Sequence, residues 1–365
     1  DTMINWAISK LQDKGVTVLV PLMFLIIGIQ GAFGGGDQMI ALVPLGVMMA
    51  KKLRLDPIMA VALTFFASFT GFAVGPSRVG TAQLMMDVPM YSGFVERTAI
   101  MLVIVIIGML YTLRYARKIS HDPKYSVMGA GPWYEDSPVD TAQSMTEAEF
   151  SPKAAFVTIL FFAQYFVIVY MMSVLGMPNT ILPAVQILVA IFCGLIYRQN
   201  LDTIGNAFAK GAQGMAFVAT IIGLAGTMSL VMQNGNILHT IVHFLTAPLM
   251  DLPRSVASVG MTAVISVVNL LIPSASSKAA ILVPILQPVS EALGLMPELA
   301  VQAFQYGDGF SNMISPMLGW TVGSCVTAGL PFPKWAKWAL PKMLCFLLMG
   351  FVIMFCLTEF GWQPF

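Results

Sequence analysis

Between Leu271 and Trp320 two apolar runs are each interrupted by small polar residues, PSASSK at 273–278 and YGDGFSNMISP at 306–316. Few folds accommodate such a stretch. A chain inside hydrocarbon must satisfy its backbone internally, so non-helical segments survive there only where protein or water lines them. Moved by 240 residues without a gap, the pattern returns: Ala41 to Ser77 falls on Ile281 to Met317 with nine identities, Leu42/Leu282, Val43/Val283, Pro44/Pro284, Leu53/Leu293, Leu55/Leu295, Pro57/Pro297, Ala60/Ala300, Val61/Val301 and Pro76/Pro316. Three of the pairs are prolines, which fix φ and remove a backbone donor, so their spacing carries structural information. The chain reads as two copies of one broken hydrophobic unit. Corresponding broken segments in two halves of a membrane protein point to a substrate site near the bilayer midplane.

Composition agrees with that environment. Hydrophobic residues make up 57% of the 365 positions and charged residues 10%, with mean hydropathy +0.80, which reads as a polytopic membrane protein. A net charge of +1, with its basic residues scattered, argues against nucleic acid as a partner. Cys193, Cys325, Cys345 and Cys356 sit in apolar runs without metal-ligand spacing and read as helix-packing residues, so neither disulfides nor zinc are expected. His239 and His243 are four apart but lack an accompanying Glu, and Gly34-Gly35-Gly36 is followed by Asp37 rather than the Lys-Ser/Thr of a phosphate loop. No nucleophile, base and orienter can be assembled, and no enzyme is expected.

Taken in order, hydropathy and breakers predict an interfacial helix over 1–12, with a counterpart near Ile241 to Met250. They predict a re-entrant hairpin over 16–50, turning at Gly34 to Gln38, and a helix over 57–86 broken between Gly71 and Gly80. A helix over 98–113 and a polar linker over 119–152 follow. Spans then come at Lys153–Leu175, Ile181–Tyr197 and Gly211–Met232. The second hairpin occupies 255–293, a second broken helix 297–325 is interrupted at Gly307 to Pro316, and Trp338–Leu357 is the last span. That makes seven crossings and two hairpins, with residues 1–118 and 153–365 as two repeats joined by the linker.

With the first hairpin opening inward and the second outward, fifteen of nineteen Lys and Arg fall on one side, as cytoplasmic loops require. Arg97 and Arg254 fall on the other; Arg78 and Lys278 fall inside the membrane. The fold class expected is therefore an all-α membrane protein of inverted repeats, each with a re-entrant hairpin and a broken helix. Repeat logic also asks for roughly 90 residues before Asp1, so the sequence is expected to be N-terminally truncated.

Four ionisable residues lie at membrane depth, and all four are at polar interruptions: Asp37, Arg78, Lys278 and Asp308. Buried charge is costly unless paired or hydrated, which makes these the first candidates for substrate or ion contact. Arg78 has the planar fork that grips a carboxylate; Arg78 and Asp308 could equally be counter-charges locking the hairpins. Lys278 could hold an anion, replace a coupling cation or snorkel, and Asp37 could simply cap its hairpin arm. Uncharged candidates at the same interruptions are Gln38, Ser77, Thr81, Asn269, Ser274, Ser276, Ser277, Gln305, Ser311, Asn312 and Ser315. Of these, Ser276, Ser277 and Asn312 could ligate sodium.

The interruptions AFGGGDQMIALVPLGV with GFAVGPSRVGTAQ, and IPSASSKAAILVPI with FQYGDGFSNMISP, resemble the YfcC-like branch of the C4-dicarboxylate anaerobic carrier (DcuC-type) family, within the ion transporter superfamily. The resemblance runs across essentially the whole chain, and YGDGFSNMISP is its most specific part. It implies a bacterial inner-membrane homodimer with scaffold and moving parts, in which hairpins and broken helices form the site and travel as an elevator. It places the tips at Gly34–Gln38 and Ser274–Lys278 and the breaks at Gly75–Thr81 and Gly307–Ser315. Where related sequences tend to read Asn-Pro-Phe-Ser/Thr, this one has Gly75-Pro76-Ser77-Arg78, which adds a fixed cation. The expectation is a secondary transporter for a small carboxylate-bearing metabolite, a C4-dicarboxylate first, with sodium or protons as coupling ion. A basic amino-acid antiporter is the alternative, and a channel is disfavoured because hairpins that stop midway gate a site rather than line a pore.

Overall fold

The computed structural model describes residues 15–33, 39–76, 78–89, 92–134, 151–173, 175, 177, 181–235, 237–272 and 274–362. Among the described residues all regular structure is helical. Helices α1 (Gly15–Phe33) and α2 (Met39–Lys52) precede α3 (Pro57–Val61), which runs through a π-helical turn at Ala62–Phe66 into α4 (Ala67–Phe72). After a non-helical stretch come α5 (Gly80–Met85) and α6 (Phe94–His121). Next are α7 (Pro152–Ser173), α8 (Ile181–Ile196), α9 (Leu201–Asn234) and α10 (Ile237–Thr246). The chain closes with α11 (Arg254–Leu271), α12 (Ala275–Ala292), α13 (Pro297–Asn312), α14 (Gly319–Thr327) and α15 (Phe332–Glu359). Among the described residues α1, α6, α11 and α15 are long and apolar enough to cross a membrane.

The sequence correspondence has a counterpart in local structure. Helix α2 ends in a left-handed residue, Arg54 at φ 55°, and α12 ends 240 residues later in Gly294 at φ 61°. At both ends the same two bonds close the helix: Arg54 N–H donates to Lys51 O at 3.1 Å and Leu55 N–H to Ala50 O at 2.7 Å, as Gly294 N–H does to Glu291 O at 2.9 Å and Leu295 N–H to Ser290 O at 2.8 Å. This is the Schellman termination, which satisfies carbonyls that a helix end would orphan. Pro57 and Pro297 then open α3 and α13, where a missing N–H is harmless. Packing pairs off in the same way. Helix α1 lies on α4 and α6 and α11 on α13 and α15, while α2 reaches α14 and α12 reaches α5. Helices α2 and α12 thus each contact the segment beyond the other's following break.

The centre of the core is the first broken helix. Residues 55–76 are buried without exception, a helix apolar all round and enclosed on every side. The Phe66 ring lies 5.2 Å from Trp338, 5.9 Å from Phe346 and 6.1 Å from Phe24, tying α1 and α15 to it.

Several boundaries differ from the sequence expectation. The helix expected over 98–113 is α6, 28 residues long. At 1.5 Å per residue it is about 42 Å and outruns the apolar core at both ends, where hydropathy could not see it. It also absorbs the start of the linker expected at 119. Likewise 211–232 lengthens to α9 and 338–357 to α15. The expected break at Gly307 to Pro316 is helical as far as Asn312, and the interruption lies at Met313–Leu318. Here the glycines serve close approach: a Cβ on Gly307 would stand 2.6 Å from Ile265 Cβ, and one on Gly309 2.2 Å from Ala73 Cα. The interfacial helix over 1–12, the tip at Gly34–Gln38 and most of the linker lie outside the described residues.

At the end carrying Lys51, Lys118 and Lys334, the chain after α6 folds back onto the start of α3. Asp56 is fully buried; Oδ1 accepts from Met59 N–H at 3.1 Å, and Oδ2 accepts from Tyr115 OH at 2.5 Å and Ser126 Oγ at 2.7 Å. Burial pushes the Asp56 carboxyl above its usual range, and the hydrogen bonds from Ser126 and Tyr115 pull it part of the way back. Lys334 Nζ donates to Val127 O at 3.1 Å, and Lys51 lies 5.2 Å from the Tyr134 ring. Asp56→Ala is expected to cost about 1–2 kcal/mol through the lost cap and to speed proteolysis within residues 122–134, measured on the reconstituted protein. Asp56→Asn, uncharged and still able to cap, should protect the segment nearly as well as the native carboxylate.

Candidate functional site

The polar interruption of the second unit is assembled from three helices. Asn269 lies near the end of α11, Lys278 in the first turn of α12, and Asp308, Ser311 and Asn312 on α13, where spacing of three and four puts them on one face. Lys278 is fully buried, and its Nζ donates to both Asp308 Oδ1 and Asn269 Oδ1. The same ammonium lies 5.6 Å from the centre of the Phe304 ring, one turn before Asp308. Asn269 faces both ways. While Oδ1 accepts from Lys278, Nδ2 is within hydrogen-bond reach of Asp308 O at 2.9 Å, Ser311 Oγ at 2.7 Å and Asn312 Oδ1 at 2.8 Å. Ser311 Oγ donates to Gly307 O at 2.5 Å, and Asn312 Nδ2 lies 3.4 Å from Asp308 Oδ1.

Beyond Asn312 the helix opens, and its freed carbonyls are taken by neighbours. Thr321 Oγ1 donates to Asn312 O at 2.9 Å and Trp335 Nε1 to Met313 O at 2.9 Å. Such side-chain partners are what allow irregular backbone at membrane depth.

The first break is stitched to α13. Gln305 Nε2 donates to Gly75 O at 2.7 Å, and its Oε1 accepts from Arg97 Nη1 at 3.1 Å. Arg97, one turn into α6, is fully buried; its Nε donates to Ser92 O at 3.2 Å and its guanidinium stands 5.3 Å from the Trp362 ring. Arg97 makes no ion pair with a described carboxylate, and its Nη2 has no hydrogen-bond partner. Arg78 lies 5.0 Å from the Phe72 ring on the same break.

The structure therefore brings together Asn269, Lys278, Asp308, Ser311 and Asn312, and places Gln305 against the first break rather than the second. Ser274 is exposed ahead of α12, and Ser315 is buried in the second break with its hydroxyl unpartnered. Lys278 belongs to the first helical turn rather than to a tip, and it is committed to Asp308. The side chains of Thr81, Ser276 and Ser277 lie outside the described ones, as do Asp37, Gln38 and Ser77 altogether. Arg97 is the residue that the sequence reading assigned to water. Its signal was available: with Arg254 it is one of two exceptions to the charge asymmetry, and Arg254 too is engaged, donating to Gly294 O to tie the ends of the second hairpin. A groove of about 340 Å³ between α6 and α15, lined by Ile100, Val352, Ile353 and Leu357 among others, is apolar and offers a charged ligand nothing.

A family model for the C4-dicarboxylate anaerobic carrier (DcuC) matches residues 1–359. The chain belongs to this carrier family. The carrier is 26% identical over 334 residues to the "Putative basic amino acid antiporter YfcC" of Escherichia coli (strain K12), covering 88% of this chain and 66% of that one. It is 25% identical over 327 residues to an uncharacterized Haemophilus influenzae protein, covering 87% and 63%. The chain thus spans about two thirds of the length of these curated relatives. In fold it is similar to the crystal structure of the Alcanivorax borkumensis YdaH transporter, with TM-score 0.50, 18% identity, and coverage of 99% of this chain and 84% of that one. The family and the structural neighbour are carriers and transporters rather than enzymes, and this chain is a helical membrane protein of that carrier family.

Removing one partner of a buried ion pair strands the other charge, which costs about 3–5 kcal/mol, whereas replacing both by apolar residues is close to neutral. Asp308→Ala is expected to lower the thermal unfolding midpoint sharply, and Lys278→Met with Asp308→Leu to restore most of it, measured on purified protein in lipid nanodiscs.

Proposed function

We propose that this carrier is a secondary transporter of a small dicarboxylate, working by alternating access in a bacterial inner membrane. The observation that carries the substrate class is the charge balance at the breaks. Lys278 and Asp308 neutralise each other, while Arg97 remains a fully buried cation with no described carboxylate in ion-pair contact and a guanidinium nitrogen without a partner. A buried guanidinium with an open donor stabilises an anion, and Arg offers the two-pronged geometry that a carboxylate fits. Arg78 on the same break would supply a second fork, as a molecule with two carboxylates requires. The family description points to the same substrate class.

Inverted repeats, with hairpins over 16–50 and 255–293 and broken helices over 57–86 and 297–325, are the architecture we assign. The matched helix terminations at Arg54 and Gly294 and the reciprocal contacts of α2 with α14 and α12 with α5 support it. On this reading hairpins and breaks move together as an elevator, and α7 and α8, with Phe156, Ile159, Leu188 and Phe192 exposed, belong to the scaffold of a homodimer. The binding set is then Arg78, Arg97, Asn269, Lys278, Gln305, Asp308, Ser311 and Asn312, with Ser274, Ser315, Asp37, Gln38, Ser77, Thr81, Ser276 and Ser277 around them.

A second reading, exchange of basic amino acids, is favoured by the name given to YfcC. In it Asp308 would leave Lys278 for the substrate's amine.

Counterflow in proteoliposomes preloaded with succinate or arginine separates the two. Succinate exchange is expected, falling at least tenfold in Arg78→Ala and in Arg97→Ala, about the 1.4 kcal/mol or more lost with a charged hydrogen bond. Arginine exchange without succinate exchange would overturn the dicarboxylate assignment.

A further inference from the structure

We infer that the Lys278 ammonium permanently occupies the place of a coupling sodium ion, so that this carrier moves its substrate without sodium. The inference rests on the transporter reading above and concerns how the same site is coupled. The ligand atoms around Lys278 Nζ are those a hard monovalent cation takes: a carboxylate oxygen, Asp308 Oδ1, and an amide oxygen, Asn269 Oδ1. Behind them Asn269 Nδ2 lies within 2.7–2.9 Å of Asp308 O, Ser311 Oγ and Asn312 Oδ1, which fixes the amide with its oxygen toward the ammonium. Unwound helix ends coordinate coupling cations in transporters built from broken helices.

Here one cation is supplied by the chain itself. Its stem comes from the second hairpin arm, its carboxylate partner from α13 and its amide partner from α11, the three elements whose contact a bound ion would otherwise stabilise. The site is closed around it, with Lys278 and Asn269 without exposure and Asp308, Ser311 and Asn312 nearly so. An ion would have to evict a tethered ammonium whose effective concentration never falls, so sodium in solution competes poorly. A structural role for Lys278 predicts the same stability loss on truncation; only a cation's place predicts repair by sodium and not by larger cations.

The experiment compares purified chain in lipid nanodiscs in sodium, potassium and choline chloride at equal ionic strength, by thermal unfolding, with counterflow as a second readout. The unaltered protein is expected to unfold at one midpoint and exchange at one rate in all three salts. Lys278→Ala, which leaves the Asp308 carboxylate buried alone, is expected to unfold early in choline and to regain stability in sodium, as binding to the folded state alone requires. Its exchange should become sodium-stimulated by about 5- to 150-fold, the usual span of coupling between two bound ligands. Lys278→Gln with Asp308→Asn, lacking both charges, should ignore sodium. Sodium dependence in the unaltered protein, or a folded Lys278→Ala indifferent to sodium, overturns the inference. Where Lys278→Ala fails to fold in any salt, the unaltered protein and Lys278→Arg decide: indifference of both supports the tethered cation and a sodium response of either overturns it. The unfolding readout needs no transported solute, so failure of the substrate assignment leaves it intact.

Discussion

The ion pair between Lys278 and Asp308 is the constraint on which the second half of the molecule depends. Separately, each charge in an apolar interior would cost several kcal/mol; together they are tolerated only with their remaining hydrogen-bonding positions filled. Asn269 Oδ1 accepts from the ammonium while its Nδ2 donates toward α13, and Asn312 Nδ2 lies 3.4 Å from the Asp308 carboxylate. Three helices that share no local sequence are thereby held in one register, because a slip of a single residue would separate the charges or expose the amide. Such a pair adds little net stability over apolar packing. What it adds is conditionality: α12 cannot leave α13 unless another ion, or the substrate, takes over a partner.

The first half is held differently, and the difference is chemical. Its break is satisfied by a neutral amide, Gln305, bridging Gly75 O to Arg97. A guanidinium without an ion-pair contact to a described carboxylate is thus tied to the first break, whereas the second holds a lysine–aspartate pair.

Much of this was legible in the sequence, for reasons that show where legibility ends. The four polar interruptions stood out because charge and small polar residues are rare in long apolar stretches, and the 240-residue proline spacing pointed to the positions where α2 and α12 end alike. Lys278 and Asp308 were both named, but their pairing was not, since thirty residues of intervening helix decide whether two charges meet. The second break was misplaced because Gly307 and Gly309 look alike as helix breakers and as sites of close helix contact; only the presence of Ile265 and Ala73 opposite tells them apart. Arg97 was lost for the opposite reason. One turn from a helix end, a basic residue sorts as solvated by hydropathy alone, and the groups that bury it, Trp362 and Gln305, lie more than two hundred residues away.

That separation matters for how such a site could move. Helix α13 is tied to α11 through Asp308 and Asn312 and to the first break through Gln305, so neither can shift relative to α13 without losing named hydrogen bonds. Displacing the hairpins independently would expose Lys278 or strand Asp308, an expense far above the few kcal/mol that separate working conformations of a transporter. A displacement that keeps these bonds carries α11, α12 and α13 together.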